Sequence, residues 1–237
     1  MMNKDNWENR SIYKLSKKEV FYNAKVVGFL KTLDFEDLKV SNAKDLFEWT
    51  KEKSIVFEKW FLSKNPDFKG DSKKLADFFK GFIGEFFFYT LLTDIKTLVL
   101  KNSKGDRKLY TFRDVQLSST PDFGVDLIAK VDCLNESKKS AIQVKFWNPE
   151  SKEIIKNGYA AQIYGQAVCD KQIEPFESEN VFFCWLGLDK KISPFLKEND
   201  SMNKHFVFVG METLDENVNN KSKTFWESTL VEAFKNF

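Results

Sequence analysis

One histidine, three cysteines and a net charge of +2 stand in a chain of 237 residues, and each scarcity excludes something. With only His205, a histidine-rich metal hydrolase has too few ligands, and a serine or cysteine triad would have to use this one imidazole. Its setting, KHFVFVG, reads as a strand, so a structural role is expected for it. Cys133, Cys169 and Cys184 are odd in number, far apart and without a CxxC pair. That pattern argues against a disulfide framework and against a cysteine-built zinc site, and it fits a reducing cytoplasm. No run of about 18 apolar residues occurs, and the opening MMNKDNWENR has no apolar signal core, so a cytoplasmic protein without membrane attachment is expected. The 37 basic and 35 acidic residues nearly cancel, which confines any nucleic-acid surface to a local patch. Neither GxxxxGKS nor GxxxxGKT is found, so there is no ATPase phosphate loop.

What the chain has in quantity is apolar and aromatic: 42% of residues are hydrophobic, with 25 Phe and 6 Trp, enough for a sizeable core. Residues 1–70 carry amphipathic helical stretches such as LFEWTKEKSIVFEKWFL (46–62) and end at the turn-like KNPDFKGD, so they are expected to form a helical extension suited to DNA recognition or dimerisation. The remainder, 71–237, opens with KKLADFFKGFIGEFFFYTLL (73–92), where Leu75, Phe78, Phe79, Phe82, Ile83, Phe86 and Phe87 make one helical stripe with Glu85 at its border. Strand-like runs follow at 97–102, 108–115, 125–131 and 141–147, with LNESKKS (134–140) expected to turn between the last two. A helix over 152–170, strands at 181–187 and 205–210, and a closing helix over 223–237 complete an expected α/β sandwich around a mixed sheet flanked by helices.

The stretch AIQVKFWN (141–148) holds two polar residues that its apolar neighbours do not explain. Strand alternation puts Gln143 and Lys145 on one face, and Ile142, Val144 and Phe146 on the other. A half-exposed strand accounts for this, and so does a strand whose polar face lines a site. In PDFGVDLIAKV, Asp126 opens an apolar strand after a glycine-containing bend, with 16 residues between it and Gln143. A hairpin of that length brings Asp126 beside Gln143 and Lys145. Asp122, in the literal PD, belongs to turn chemistry and is the weaker candidate.

The elements GE (84–85), GVD (124–126) and QVK (143–145), in this order, resemble the PD-(D/E)xK nuclease superfamily, and more narrowly its branch with Gln in place of the acid, as in Mrr-like and type II restriction endonucleases. The resemblance covers roughly residues 73–187. It implies a restriction-endonuclease-like core and a Mg²⁺-dependent DNA endonuclease, with Mn²⁺ as a substitute metal. It also implies roles: Asp126 and Gln143 as metal ligands, Lys145 positioning or activating the attacking water, and Glu85 completing the site.

Phosphodiester hydrolysis asks for such a set on its own terms, because a hard divalent cation supplies both a hydroxide-like nucleophile and relief of charge on the phosphate. Magnesium takes oxygen ligands and keeps several waters, so a carboxylate, an amide oxygen and the backbone carbonyl of Val144 suffice. Because Gln143 brings no charge, Glu85 becomes more important here. On the helix after the motif, Ile155, Tyr159, Gln162 and Gln166 share a face, from which Gln162 is a candidate DNA-backbone contact. Lys152, Lys156 and Lys171 are candidate phosphate contacts, against the alternative of solvated lysines. The expected partner is double-stranded DNA, and two copies of one active site for two strands point to a homodimer. The alternatives are a structure-specific repair or recombination nuclease and a non-cleaving DNA-binding module on the same scaffold.

Overall fold

The computed structural model describes residues 17–35, 38–102, 104–118, 125–146, 157–175, 177–185, 203–222 and 224–236. Three helices come first: α1 (Lys17–Leu30), α2 (Ala43–Lys64) and α3 (Ser72–Asp94). Strands β1 (Thr97–Lys101), β2 (Arg107–Leu117), β3 (Leu127–Cys133) and β4 (Glu136–Lys145) follow, then α4 (Asn157–Cys169), β5 (Val181–Trp185) and β6 (Phe206–Val209). Helix α5 (Met211–Lys221), a π-helical stretch (Phe225–Thr229) and α6 (Leu230–Lys235) close the chain.

The six strands form one mixed sheet in sequence order. Strands β1 to β4 are antiparallel, and β4, β5 and β6 are parallel. Antiparallel neighbours need only tight turns, whereas the parallel step from β4 to β5 needs a crossover, and α4 lies within that connection. The chain is thus α/β, a mixed sheet flanked by helices. Three details differ from the sequence expectation. The polar LNESKKS is not a long turn: only Leu134 and Asn135 turn, both with positive φ (50° and 68°), and Glu136–Ser140 extend β4. A two-residue turn of that type matches strand twist, so the hairpin needs no longer loop. Helix α5, from the polar METLDENVNNK, was not expected; its few buried residues, Met211, Leu214, Asn217 and Val218, give one turn-spaced stripe. The closing segment is π-helical before it becomes α-helical.

One face of the sheet carries Leu98, Leu100, Tyr110, Phe112, Leu127, Ile142 and Val144, and these pack with α1, α2, α3, α5 and α6 in the main core. Aromatic rings tie it together: Phe29, Phe57 and Phe79 join the first three helices at centroid separations of 5.3–5.7 Å, and Phe87 stacks on Trp226 at 5.5 Å. Each buried ring contributes about 1.5–3 kcal/mol. The opposite face is covered over β4–β6 by α4, whose Ala160, Ile163 and Ala167 meet Ala141, Val181, Phe183, Phe206 and Phe208. Over β2 and β3 the same face leaves Leu109, Arg113, Gln116 and Lys130 exposed.

The open edge of β1 is closed by a side chain. Asn217 of α5 accepts from Val99 N at 2.6 Å and donates to Val99 O at 3.0 Å, as a neighbouring strand would. An unpaired edge invites association with other chains, and this amide removes part of it. His205 lies not in a strand but in the turn just before β6: it is buried, its Nδ1 lies 2.5 Å from Glu177 O, its ring sits 4.3 Å from that of Tyr164, and burial lowers its pKa.

Candidate active site

The hairpin register brings Asp126 and Gln143 together. Leu127 pairs with Ile142, so the next position outward sets Asp126 opposite Gln143. The backbone of Asp126 is held on both sides, its N donating to Ile142 O at 2.9 Å and its O accepting from Ser118 N at 2.9 Å. Its side chain turns inward: Oδ2 accepts from Val144 N at 2.6 Å and from Gln143 Nε2. Gln143 Nε2 also donates to Val144 O at 2.9 Å. Carboxylate, amide and backbone carbonyl, three of the expected ligand groups, therefore converge at the end of one hairpin.

Gln143 is only 1% exposed, and its Oε1 is buried with no hydrogen-bond partner among the described residues. Leaving such an acceptor unsatisfied costs about 1–3 kcal/mol, which calls for an explanation. An amide carries a donor and an acceptor at one end, so this side chain can bridge two oxygens through N–H or present Oε1 to a cation. Among the described residues no three His, Cys, Asp or Glu side chains gather as a metal site of those types alone would need. As placed, the Gln143 amide turns its Nε2, not its Oε1, toward Asp126 Oδ2 and Val144 O; with the amide turned over, the set would be one carboxylate, one amide oxygen and one carbonyl, which fits a hard cation that retains water.

Lys145 ends β4 on the same face as Gln143 and is half-buried, in register with Trp185 of β5. Phe146, next in sequence, stacks on Phe47 of α2 at 5.1 Å, so a helix from the N-terminal part braces the strand end that carries the site. Glu85 is half-buried on α3, which lies against the other face of β4. Gly84 before it is where that helix comes closest: a Cβ there would stand 3.4 Å from Val144 Cγ1 and from Phe146 Cδ2. Gln162 is exposed on α4, and Gln166 donates to Asp170 Oδ2 at 2.9 Å along its own helix. Asp122, Ile155, Lys152 and Lys156 lie outside the described residues, as does the side chain of Tyr159.

Three residues behind the site carried no sequence signal of a place there. Buried Gln172 donates to Ser118 Oγ at 3.0 Å, and Ser118 is the residue whose N–H holds the Asp126 carbonyl. Cys184, in register with Val144, is fully buried; desolvation first, and the charge of Asp126 second, raise its thiol pKa. It is an inert wall of the site and not a nucleophile.

Residues 103–162 match a family model described as "Restriction endonuclease", of the Mrr catalytic type. The matched segment takes in β2, β3 and β4 and the start of α4, with Asp126, Gln143, Val144, Lys145 and Gln162, while Glu85 lies outside it. The architecture, a six-stranded mixed sheet flanked by helices, is consistent with a restriction-endonuclease-like fold. No curated protein and no solved structure is found to match the chain.

Proposed function

On the premise that residues 103–162 are similar to Mrr-like restriction endonucleases of the PD-(D/E)xK superfamily, and hence that the chain carries a nuclease segment, we propose a divalent-metal-dependent DNA endonuclease of restriction type. The observation that carries this reading is the meeting of Asp126 Oδ2, the Gln143 amide and the Val144 carbonyl at the end of the matched hairpin. Mg²⁺ is the proposed ion and Mn²⁺ its substitute; Asp126, Gln143 and the Val144 carbonyl would hold it, with Glu85 as the second carboxylate. When bound, such an ion supplies a Lewis acid for the phosphate and a water of lowered pKa.

The chain's own residues do the rest. Val144 N–H fixes the Asp126 carboxylate in its orientation, so the anion is preorganised. Lys145, on the Gln143 face, donates to the attacking water and offsets negative charge that grows on the phosphate. Phe47 and Phe146 keep the strand end from swinging, because a site displaced by even 1 Å loses much of its rate. A homodimer, one copy for each DNA strand, belongs to the same proposal.

Purified protein incubated with unmodified and methylated plasmid, in Mg²⁺ or in EDTA, tests it. Discrete bands in Mg²⁺ and none in EDTA are expected. Selective cutting of junctions or flaps would instead indicate a repair nuclease, and no Mg²⁺-dependent cutting would sink the enzyme reading. Lys145→Ala should lose at least about a hundredfold in rate, the scale of one positioned proton-transfer or charge-stabilising group, with duplex binding retained.

A further inference from the structure

Three cations stand in one row across β2, β3 and β4. Arg113 pairs with Lys130, and Lys130 pairs with Lys139, in the antiparallel register. Directly opposed residues project from the same face with Cβ atoms roughly 4.5–5.5 Å apart, so like charges there destabilise the sheet. Asp132 partly offsets two of them: it accepts from Arg113 Nη2 at 2.6 Å and also feels the charge of Lys130. A fourth cation comes from another element: Lys139 Nζ donates to the main-chain O of Lys171, just after α4, at 2.6 Å, which brings that residue's backbone to the row. All four cations are exposed.

The row shares its face with the candidate site. Along β4, Lys139, Ala141, Gln143 and Lys145 alternate onto one side, and four residues at about 3.3 Å each set Lys139 about 13 Å from Gln143. That is about four base-pair rises of duplex at ~3.4 Å. The cluster under α4 covers this face over β4–β6 and reaches Ile128 of β3, while Leu109 and Arg113 of β2 and Lys130 of β3 are exposed. In a protein of net charge +2, four exposed cations gathered on one face beside the candidate site make a local basic patch that an anion would complement.

We propose that Arg113, Lys130, Lys139 and Lys171 form a phosphate-backbone clamp that holds duplex DNA about four base pairs from the scissile bond. It rests on the nuclease reading above. The clamp contacts no bases, so it contributes affinity and register, and leaves sequence choice to other residues.

The test is binding of a fluorescein-labelled DNA duplex by anisotropy, across a salt series, with Ca²⁺ in place of Mg²⁺. The double variant Lys130→Gln, Lys139→Gln should bind roughly tenfold more weakly at about 0.1 M salt, and its slope of log affinity against log salt should fall by about 2. Lys171→Gln, outside the sheet, should lower the slope by about 1. Because repulsion is relieved, the melting temperature of the double variant should be unchanged or higher. In Mg²⁺ its KM should rise with kcat retained, and Lys130→Arg, Lys139→Arg should restore wild-type binding. A wild-type protein that binds the duplex, with a double variant that matches it in slope and affinity, overturns the clamp alone. A wild-type protein that neither binds nor cuts overturns the nuclease reading and the clamp with it.

Discussion

Gln143 concentrates the chemistry of the candidate site in one side chain. It sits at 1% exposure with one end bridging Asp126 and Val144 and its Oε1 buried without a partner among the described residues. Around it the protein keeps reactive groups silent. Cys184 is fully buried and its pKa is raised by desolvation and by Asp126, whereas Cys169 is exposed. Thiol titration of the native protein should therefore modify Cys169 fast, half-buried Cys133 more slowly, and Cys184 only on denaturation; rapid native labelling of Cys184 would mean that the strand pair β4–β5 opens around the site. That Asp126 and Gln143 meet, with Lys145 on the Gln143 face, was legible because strand alternation and hairpin length are short-range geometry. The relation of Glu85 to them was not, since it depends on how closely α3 approaches β4, and that is set by Gly84 against Val144 and Phe146. Nor could the sequence reveal Ser118 and Gln172, whose link to Asp126 is a tertiary hydrogen bond between residues far apart in the chain.

At the scale of elements, the sheet is fastened at the end remote from the candidate site. Glu179, before β5, accepts from Lys108 Nζ at 2.6 Å, Tyr110 OH at 2.9 Å and Asn102 Nδ2 at 3.0 Å, so it clasps β1 and β2 to the parallel half. Burial alone would raise its carboxyl pKa, but the three hydrogen bonds and the Lys108 charge more than offset this and hold it below the usual carboxylate range. The sign follows: the clasp stabilises fully above the unfolded pKa of about 4.3 and is lost as pH falls through the lower folded value. Glu179→Gln should cost about 1–2 kcal/mol at pH 7, allowing for the solvent-facing side of the pair, and much less at an acid pH below the lowered folded value. Urea unfolding at both pH values measures it, and an equal deficit at both would remove the charge from the explanation. Strands with apolar alternation were recognisable in the sequence, and the stripe in α3 was too. Helix α5 escaped because its stability comes from what it packs on: Asn217 bonds the β1 edge, and Asp215 accepts from Ala43 N at 2.8 Å at the start of α2. The polar half of β4 escaped because solvent-exposed strand residues show no alternation of burial to read.

Across the whole molecule, the N-terminal helices and the sheet share one core, from Phe29, Phe57 and Phe79 to the Phe47–Phe146 stack at the site strand. A recognition role for residues 1–70, which is a proposal, would therefore be exerted by helices packed directly on the sheet that carries the candidate site. The near balance of 37 basic and 35 acidic residues was plain in the sequence, but not that Lys130 and Lys139 meet across a strand pair, since they are nine positions apart and only register brings them together. The account as a whole stands on Asp126, Gln143 and the Val144 carbonyl holding a divalent ion. Calorimetric titration of Mn²⁺ into the wild-type chain and into Asp126→Asn tests this most directly, since the substitution keeps the shape and removes the one charged ligand of the trio. Saturable binding by the wild type, weakened at least about tenfold in Asp126→Asn with an unchanged melting temperature of the metal-free protein, is the predicted result. Equal Mn²⁺ affinity in the two proteins, or none in the wild type, would contradict it.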